Sequence, residues 1–286
     1  MLPIIPRSIL GRVAQKSQAG PIVIAVSSPH GSQGKTTVAI NLALELASER
    51  ARVLLIDGDL AASSIPNHFL LSDLPAGLPG AIRVANQNRF DIDQLERLTL
   101  PLAKSTLVIM PGFSGPAESE ISSQAVERIL ETAKASFDYT VIDLGSIGLA
   151  APTLVAEQFT QTVFGMADKK LIVCLADPIG IFRFLATEQK VLELASDSLL
   201  LMNRVRNSVI PAAKREIAIT LQRLSQFEVA CYLPDDPQQI DQAIRTGVPA
   251  VSLSRSGLFR QAMTGFVRAE ILGSKGQLDS RVAKLG

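Results

Sequence analysis

The sequence has few of the features that mark exported, disulfide-bonded or membrane-spanning proteins. Its 286 residues include no tryptophan and only two cysteines, Cys174 and Cys231, which lie in separate apolar runs. Such thiols support neither a disulfide framework nor a CxxC metal site, so each is predicted to be a buried strand thiol. No uncharged apolar stretch reaches the roughly 20 residues that a membrane-spanning helix needs. These absences exclude a disulfide scaffold and an integral membrane protein.

An excess of charge of one sign is also missing, because 28 basic and 27 acidic residues give a formal net charge of +1. No global field therefore draws the chain to nucleic acid or anionic lipid. The N-terminus does not read as a signal peptide, because Pro3 and Pro6 interrupt its apolar centre. We therefore expect a cytoplasmic protein. Residues 1–19 are interpreted as a leader whose apolar and basic residues leave open a peripheral membrane contact.

Short apolar runs alternate with segments of helical spacing along most of the chain. Seven runs have the length of strands, at 21–26, 52–57, 106–110, 139–143, 171–176, 198–203 and 229–233. Helical spacing appears at 35–49, 120–136, 153–167, 179–195 and 211–226. Near-continuous Val, Ile and Leu runs are typical of parallel strands buried on both faces. The predicted fold class is α/β: one domain over residues 20–272, with a mostly parallel central sheet and helices on both faces, followed by a C-terminal tail at 273–286. Residues 61–90 are predicted to form an irregular connection with short helices.

A loop of small residues follows the first predicted strand and leads into a helix. Its eight residues are His30, Gly31, Ser32, Gln33, Gly34, Lys35, Thr36 and Thr37. Small residues let backbone N–H groups approach phosphate oxygens, and the N-terminus of the following helix adds partial positive charge. In this setting Lys35 is predicted to pair with the β- and γ-phosphates of a nucleotide, and the Thr36 hydroxyl to bind Mg²⁺. The eight residues are the candidate phosphate-binding loop.

Acidic residues close two of the predicted strands. Asp57 and Asp59 follow the second apolar run, and Asp143 ends the run at 139–143. The carboxyl ends of parallel strands line the crevice where open α/β sheets bind ligands. After a phosphate loop, we interpret these acids as parts of a nucleotide site rather than as caps of solvated turns. Asp138, which precedes the same run, is interpreted as a surface residue and not as a ligand.

The loop resembles the deviant phosphate loop of the ParA/MinD family of P-loop ATPases, whose pattern is K-G-G-x-G-K-T. The matching positions are Gly31, Gly34, Lys35 and Thr36. His30 stands in place of the family's signature lysine, and Ser32 in place of its second glycine. Pro29 stands where the strict G-x-x-x-x-G-K-[ST] pattern has its first glycine. The resemblance implies the three-layer α/β/α fold of P-loop nucleotidases.

The resemblance also implies roles for the acids. Asp57 would lie in the Mg²⁺ coordination sphere, and Asp59 would orient or activate the attacking water. Asp143, which resembles the acid of a Walker B strand, would hold Mg²⁺ through a coordinated water. The catalytic candidates are therefore Lys35, Asp59 and Asp57, and the metal candidates are Thr36, Asp57 and Asp143.

Base recognition is implied by two later segments. The strand that ends at Asn203 resembles the family strand whose terminal Asn pairs with the adenine edge. Pro234 and Asp235 resemble the family's I-P-x-D loop, in which the proline packs on the base. A guanine-specific T/N-K-x-D signature is absent from the sequence, which favours ATP over GTP. The implied cofactors are ATP and Mg²⁺.

The resemblance implies a switch. Family members dimerise face to face around ATP and use the nucleotide state to change their binding to partners or surfaces. The segments Gly77-Leu78 and 109–112 are most similar to the CpaE/TadZ pilus-assembly branch. We therefore hypothesise a weak ATPase that acts as a localisation or assembly switch. It would form an ATP-dependent homodimer and act on protein partners from a localisation or secretion and pilus-assembly machine. Turnover is expected to be slow, because the family's lysine reaches the partner's phosphates and His30 replaces it.

Three other functions stay open at this point. The chain could be a nucleotide-binding scaffold with little or no hydrolysis, which a turnover assay would reveal. It could be a DNA-partitioning ATPase, but the basic residues between 204 and 223 are interpreted as a solvated helix face, and DNA is not expected as a partner. It could also be an ATP-dependent metabolic enzyme, although the sequence shows no pocket for a carboxylate or amine substrate.

Overall fold

The computed structural model describes residues 20–115, 121–148, 153–254 and 256–273. The predicted leader at 1–19 and all but the first residue of the predicted tail at 273–286 lie outside the described residues.

The described strands form a single eight-stranded sheet. They are β1 (Ile22–Ser28), β2 (Val53–Gly58), β3 (Leu100–Pro101), β4 (Leu107–Met110), β5 (Tyr139–Ser146), β6 (Lys169–Leu175), β7 (Leu199–Val205) and β8 (Val229–Pro234). Their order across the sheet is β3-β4-β2-β5-β1-β6-β7-β8. Only β3 runs antiparallel to its neighbour among these strands. The predicted mostly parallel sheet is confirmed, and each of the seven predicted runs overlaps a strand.

Helices connect the strands and cover both faces of the sheet. They are α1 (Lys35–Ser48), α2 (Ile65–His68), α3 (Gly77–Asn86), α4 (Ile92–Arg97), α5 (Ser123–Ser136), α6 (Leu154–Met166), α7 (Pro178–Ala195), α8 (Ala213–Leu224), α9 (Pro237–Thr246), α10 (Ala250–Leu253) and α11 (Leu258–Phe266), which continues as a π-helix over Val267–Ile271. Within the described ranges, no helix is long and apolar enough to cross a membrane.

The sheet separates two hydrophobic cores. Residues of α3, α5, α6, α7 and α8 form one core, which includes Phe164, Phe184 and Cys174. Residues of α1, α10 and α11 form the other, which includes Phe259 and Cys231. Burial raises the pKa of each thiol to about 12. Both cysteines are therefore inert strand residues, as the apolar runs around them predicted.

The register of the sheet brings the predicted acidic residues together. Asp57 of β2 lies directly opposite Asp143 of β5, and Asp143 lies opposite Val26 of β1. The loop after β1 therefore begins beside both acids. Strand β6 lies on the other side of β1, and β7 follows it, so the ends of β6 and β7 flank the same loop. The candidate site residues come from five separate segments, and all lie toward the carboxyl-terminal ends of the parallel strands.

The connection between β2 and β4 contains α2, α3 and α4, which confirms that the predicted irregular region carries short helices. Gly77 has a φ of +54°, and a Cβ atom there would collide with the carbonyl of Pro111. The backbone N–H of Leu78 donates to that carbonyl at 2.7 Å. The two segments that carry the pilus-assembly resemblance therefore touch each other.

Candidate functional site

The N-terminus of α1 is open to an anion. Its N-cap residue is Gly34, and no side chain of the described part of the molecule caps the first turn. Five other helices do have side-chain caps, from Asp91, Ser122, Thr153, Asp177 and Asp236. The first N–H groups of a helix have no partner within the helix, and they carry partial positive charge. The uncapped end of α1 is therefore suited to phosphate oxygens, and phosphate binding by this loop stays a prediction.

Two residues of the loop adopt left-handed backbone conformations. Gly34 has a φ of +87°, and a Cβ atom there would collide with Nδ2 of Asn203. Glycine is therefore required at this position by both conformation and space. Ser32 has a φ of +63°, a conformation that costs an L-residue with a side chain on the order of 1–2 kcal/mol. The serine at the family's second glycine position thus keeps a backbone shape that favours glycine.

Lys35 forms an ion pair with Asp59. Its Nζ lies 2.6 Å from Asp59 Oδ2, and the two side chains are 12% and 9% exposed. Burial acts to lower the pKa of Lys35, but the charges of Asp143, Asp59 and Asp57 outweigh it and raise that pKa. Burial acts to raise the pKa of Asp59, but Lys35 outweighs it and lowers that pKa. Both residues are therefore charged at neutral pH, and each holds the other.

Asp57 is fixed by the turn that follows β2. Its Oδ2 accepts hydrogen bonds from Ser63 Oγ at 2.7 Å and from the backbone N–H groups of Ser64 at 2.9 Å and Ile65 at 2.8 Å. Its Oδ1 is buried and has no hydrogen-bond partner among the described residues. Burial raises the pKa of this carboxyl group, against the effect of these donors. Oδ2 of Asp57 thus fixes the carboxylate to the turn, and Oδ1 has no partner among the described residues and could bind a cation.

Asp143 has fewer hydrogen-bond partners than Asp57. It is 1% exposed, and neither carboxylate oxygen has a hydrogen-bond partner of good geometry in the described part of the chain. Burial raises its pKa to about 7, and this effect is partly offset by the charge of Lys35 and by the nearby Thr36 hydroxyl. A buried polar group without a partner is rare in native proteins and calls for an explanation such as a bound ion.

The arrangement fits a magnesium ion bound together with a nucleotide. Three buried carboxylate oxygens of Asp57 and Asp143 lack partners, and the Thr36 hydroxyl lies beside Asp143. Mg²⁺ prefers oxygen ligands and usually binds through one or two carboxylates together with substrate phosphates. Within the described ranges, no cluster of three or more His, Cys, Asp or Glu residues could hold a metal ion. A cation at this site would therefore need further oxygen ligands besides these carboxylates, such as water or phosphate.

The residues predicted to recognise the base lie at the ends of β7 and β8. Nδ2 of Asn203 donates to the carbonyl of Gln33 at 2.9 Å, and its Oδ1 accepts from the N–H of Arg204 at 3.0 Å. These bonds use one hydrogen and one lone pair of the amide, which leaves one of each for a base. Asp235 lies next to β7, because its N–H donates to Val205 at 3.2 Å. The structure places Asn203 against the phosphate loop, and its pairing with adenine stays a prediction.

His30 packs against its own chain. A Cβ atom at Gly148 would lie 3.2 Å from Nδ1 of His30, so the imidazole lies beside the segment that follows β5. The carbonyl of His30 accepts a hydrogen bond from Ser28 Oγ at 2.7 Å. The imidazole therefore contacts its own chain near the end of β5, and slow turnover without the signature lysine stays a prediction.

The interpretation of Asp138 as a surface residue is wrong. Asp138 is 9% exposed, and it accepts hydrogen bonds from the side chain and the backbone N–H of Arg52. Arg52 lies 86 residues earlier in the sequence, so nothing near Asp138 in the sequence indicates this partner. The contact between Arg52 and Asp138 depends on the placement of the neighbouring strands β2 and β5. The contact between Ser63 and Asp57 forms within the turn after β2, and the sequence pattern did not predict it.

Comparison with known proteins identifies the family. Residues 24–246 match the CobQ/CobB/MinD/ParA nucleotide binding domain. The chain belongs to this family. Among its relatives is an uncharacterized ATP-binding protein of Methanocaldococcus jannaschii, which is 24% identical over 255 residues, or 89% of each chain.

Solved structures of the MinD/ParA group share the fold. The septum site-determining protein MinD of Pyrococcus horikoshii, solved with Mg-ADP, has a TM-score of 0.66 at 18% identity, and the match covers 89% of this chain and 98% of that one. MinD in the MinC:MinD complex of Aquifex aeolicus has a TM-score of 0.68 at 20% identity, with 88% and 96% covered. The predicted ParA/MinD resemblance is confirmed for the family and the fold.

Proposed function

We propose that this member of the MinD/ParA family binds ATP with Mg²⁺ at the phosphate loop, hydrolyses it slowly, and uses the nucleotide state to control a protein partner. The observation that carries the proposal is the group of unpartnered carboxylate oxygens on Asp57 and Asp143 beside Lys35. These buried groups lie next to an uncapped helix N-terminus, an arrangement that suits a cation and a polyphosphate together.

The Lys35–Asp59 ion pair suggests how binding leads to hydrolysis. A triphosphate offers Lys35 several negative oxygens, so Lys35 would exchange Asp59 for the β- and γ-phosphates. Asp59 would then be released to orient the attacking water, which is the role that the family resemblance implies. Asp57, anchored by three donors, and Asp143 would hold the metal, with Thr36 as a further ligand. When bound, Mg²⁺ neutralises charge that develops on the phosphates.

The surroundings of Asp59 suggest a route from nucleotide to partner. A Cβ atom at Gly145 would lie 3.5 Å from Asp59 Oδ1, so the turn after β2 and the segment at the end of β5 are neighbours. That segment is tied to β1 by Ser27 Oγ, which donates to the Gly145 carbonyl at 2.5 Å, and by the N–H of Ile147, which donates to Ser28 at 2.9 Å. Movement of Asp59 would therefore reach the turn after β2 and the segment at the end of β5 at once.

The finer assignment follows the sequence resemblance. It comprises an ATP-dependent homodimer, a localisation or assembly role of the CpaE/TadZ kind, and action on a protein partner, with a peripheral membrane contact left open. A precedent for a protein partner is the MinC:MinD complex of Aquifex aeolicus. Slow turnover is part of the proposal, because His30 occupies the position of the signature lysine and packs against its own chain.

The test is a titration of the full chain with ATP, ADP and GTP in the presence of Mg²⁺, with turnover and oligomer size recorded together. We expect ATP to bind more tightly than GTP, hydrolysis to be slow, and ATP to increase the dimer fraction. Binding without turnover or a change in size would favour the scaffold function instead. A failure to bind any nucleotide would contradict the proposal. In a separate gel-shift assay, salt-sensitive binding of DNA would favour a partitioning function.

A further inference from the structure

Gln33 is a buried polar side chain in the middle of the phosphate loop. It is 2% exposed, although Gly31 and Ser32 before it are exposed. Its Oε1 accepts a hydrogen bond from the backbone N–H of Leu175 at 2.8 Å. Its Nε2 lies 3.5 Å from the carbonyl of Gly31. The side chain is therefore turned into the protein, and it links the loop to the end of β6.

The N–H of Leu175 has a specific reason to need this acceptor. The last paired residues of β1 and β6 are Ser27 and Ile172, so Leu175 lies three residues beyond the end of that ladder. Its neighbour on the other side is β7, where it lies opposite Asn203. A buried backbone N–H without a partner is costly. The side-chain amide oxygen of Gln33 thus supplies the hydrogen-bond acceptor that β1 no longer provides.

A second contact holds the same residue from β7. The carbonyl of Gln33 accepts a hydrogen bond from Nδ2 of Asn203 at 2.9 Å, and both groups are buried. Asn203 also fills the space where a Cβ of Gly34 would lie, which keeps the loop in its left-handed turn. The main chain of Gln33 is therefore held by β7 and its side chain by β6, two residues before Lys35 and the start of α1.

We propose that Gln33 is a positioning residue that clamps the phosphate loop to the ends of β6 and β7, so that affinity for the polyphosphate depends on its amide oxygen. The inference rests on the proposed function, which makes this loop the phosphate site. Gln33 acts through the loop backbone and not by contact with the base. Its loss would therefore weaken every polyphosphate ligand alike, whether or not a nucleoside is attached.

The experiment compares Mg²⁺·ATP with Mg²⁺·tripolyphosphate by calorimetry in the full chain and in Gln33→Met, which keeps the side-chain length but removes the acceptor. We expect both ligands to lose the same factor in affinity, roughly fivefold to tenfold, because one hydrogen bond is lost. Gln239→Met is the matched control. Gln239 is also buried, and its Oε1 has no partner among the described residues, so the affinities should not change.

Hydrogen exchange of the Leu175 amide supplies a readout that does not need a nucleotide. Gln33→Met should speed this exchange, whereas Gln33→Glu, which keeps an acceptor oxygen, should preserve the protection. Unchanged exchange in Gln33→Met would overturn the clamp even if the chain bound no nucleotide. A loss of affinity for ATP alone would also overturn it, because Gln33 would then act on the base. If the parent binds neither ligand but the exchange pattern holds, the proposed function fails and the clamp itself stands.

Discussion

Two aspartates, one just before strand β5 and one within it, are in opposite situations. Asp138, just before the strand, lies at the amino edge of the sheet, and both of its oxygens accept hydrogen bonds from Arg52. Asp143, inside the strand, is buried more deeply, and neither oxygen has a partner of good geometry among the described residues. A satisfied carboxylate stabilises the fold, whereas an unsatisfied one is retained at a cost. An acid with hydrogen-bonded oxygens thus precedes β5, and an acid without such partners lies within it.

The largest expected effect is at the functional edge. Lys35→Ala should lower ATP affinity by roughly tenfold to a hundredfold or more, because it removes a charge-assisted contact worth about 1.5–3 kcal/mol. The fold should survive, since Lys35 contacts Asp59 within the site and lies outside the two cores. Calorimetry with Mg²⁺·ATP, together with circular dichroism, measures both properties. ATP binding of unchanged strength by the folded variant would show that the phosphates bind elsewhere.

Asp138→Ala should produce the converse result. The substitution leaves the Arg52 guanidinium and its backbone N–H without their acceptor, which should cost about 1–3 kcal/mol of unfolding free energy. ATP affinity should stay the same, because the residue lies at the opposite edge of the sheet from the phosphate loop. Urea denaturation and nucleotide titration of the same variant would check this. A loss of ATP affinity in a folded Asp138→Ala protein would remove the distinction between the edges.

The pH dependence of stability sharpens the comparison. The pKa of Asp143 rises on folding from its ordinary value of 3.8 to about 7, so the folded protein holds this proton where the unfolded chain has lost it. The contribution of Asp143 to stability is therefore fully favourable below about pH 4 and is lost as the pH rises to 7. Asp143→Asn should remove this contribution and make the nucleotide-free protein relatively more stable at pH 7 and above. Denaturation of both proteins between pH 4 and 8 is the measurement, and identical pH profiles would count against the assignment.

A moderate effect is expected at Asp59. Asp59→Ala should leave ATP affinity equal to or slightly above that of the parent, because the carboxylate competes with phosphate for Lys35. Turnover should fall, since the water-orienting acid acts chiefly in the transition state. Binding and single-turnover assays on the same preparation separate the two outcomes. If this variant loses ATP as completely as Lys35→Ala does, the assigned roles are wrong.

The smallest expected effect is at His30. Lysine carries a compact cation on a longer and more flexible stem than the imidazole of histidine. His30→Lys should therefore increase turnover, ATP-induced dimerisation or both, by a modest factor. Turnover and sedimentation between pH 6 and 8 at constant ionic strength would measure this. A parent that already forms a tight ATP dimer, with neither property altered by lysine, would make His30 a bystander.

The sequence predicted the parallel strands well, because their Val, Ile and Leu runs report burial on both faces. It missed β3, whose two residues, Leu100 and Pro101, are too few to show a period and include a proline. It predicted which acids would gather at the loop, since the ends of parallel strands share one edge.

Hydrogen bonds between residues distant in sequence could not be predicted. Gln33 contacts Leu175 across 142 residues, and Arg52 contacts Asp138 across 86. Neither contact leaves a local pattern, because strand order and side-chain direction decide it. The state of Asp143, buried without a hydrogen-bond partner, likewise follows from packing rather than from its motif.

The most direct test of the central claim is the Mg²⁺ dependence of ATP binding in the parent and in Asp143→Asn, with Asp138→Asn as the control. We expect Mg²⁺ to strengthen ATP binding in the parent and in Asp138→Asn, and this gain to be largely lost in Asp143→Asn. Equal Mg²⁺ gains in all three proteins, or no gain in the parent, would show that the unpartnered oxygens of Asp143 do not form part of a metal and nucleotide site.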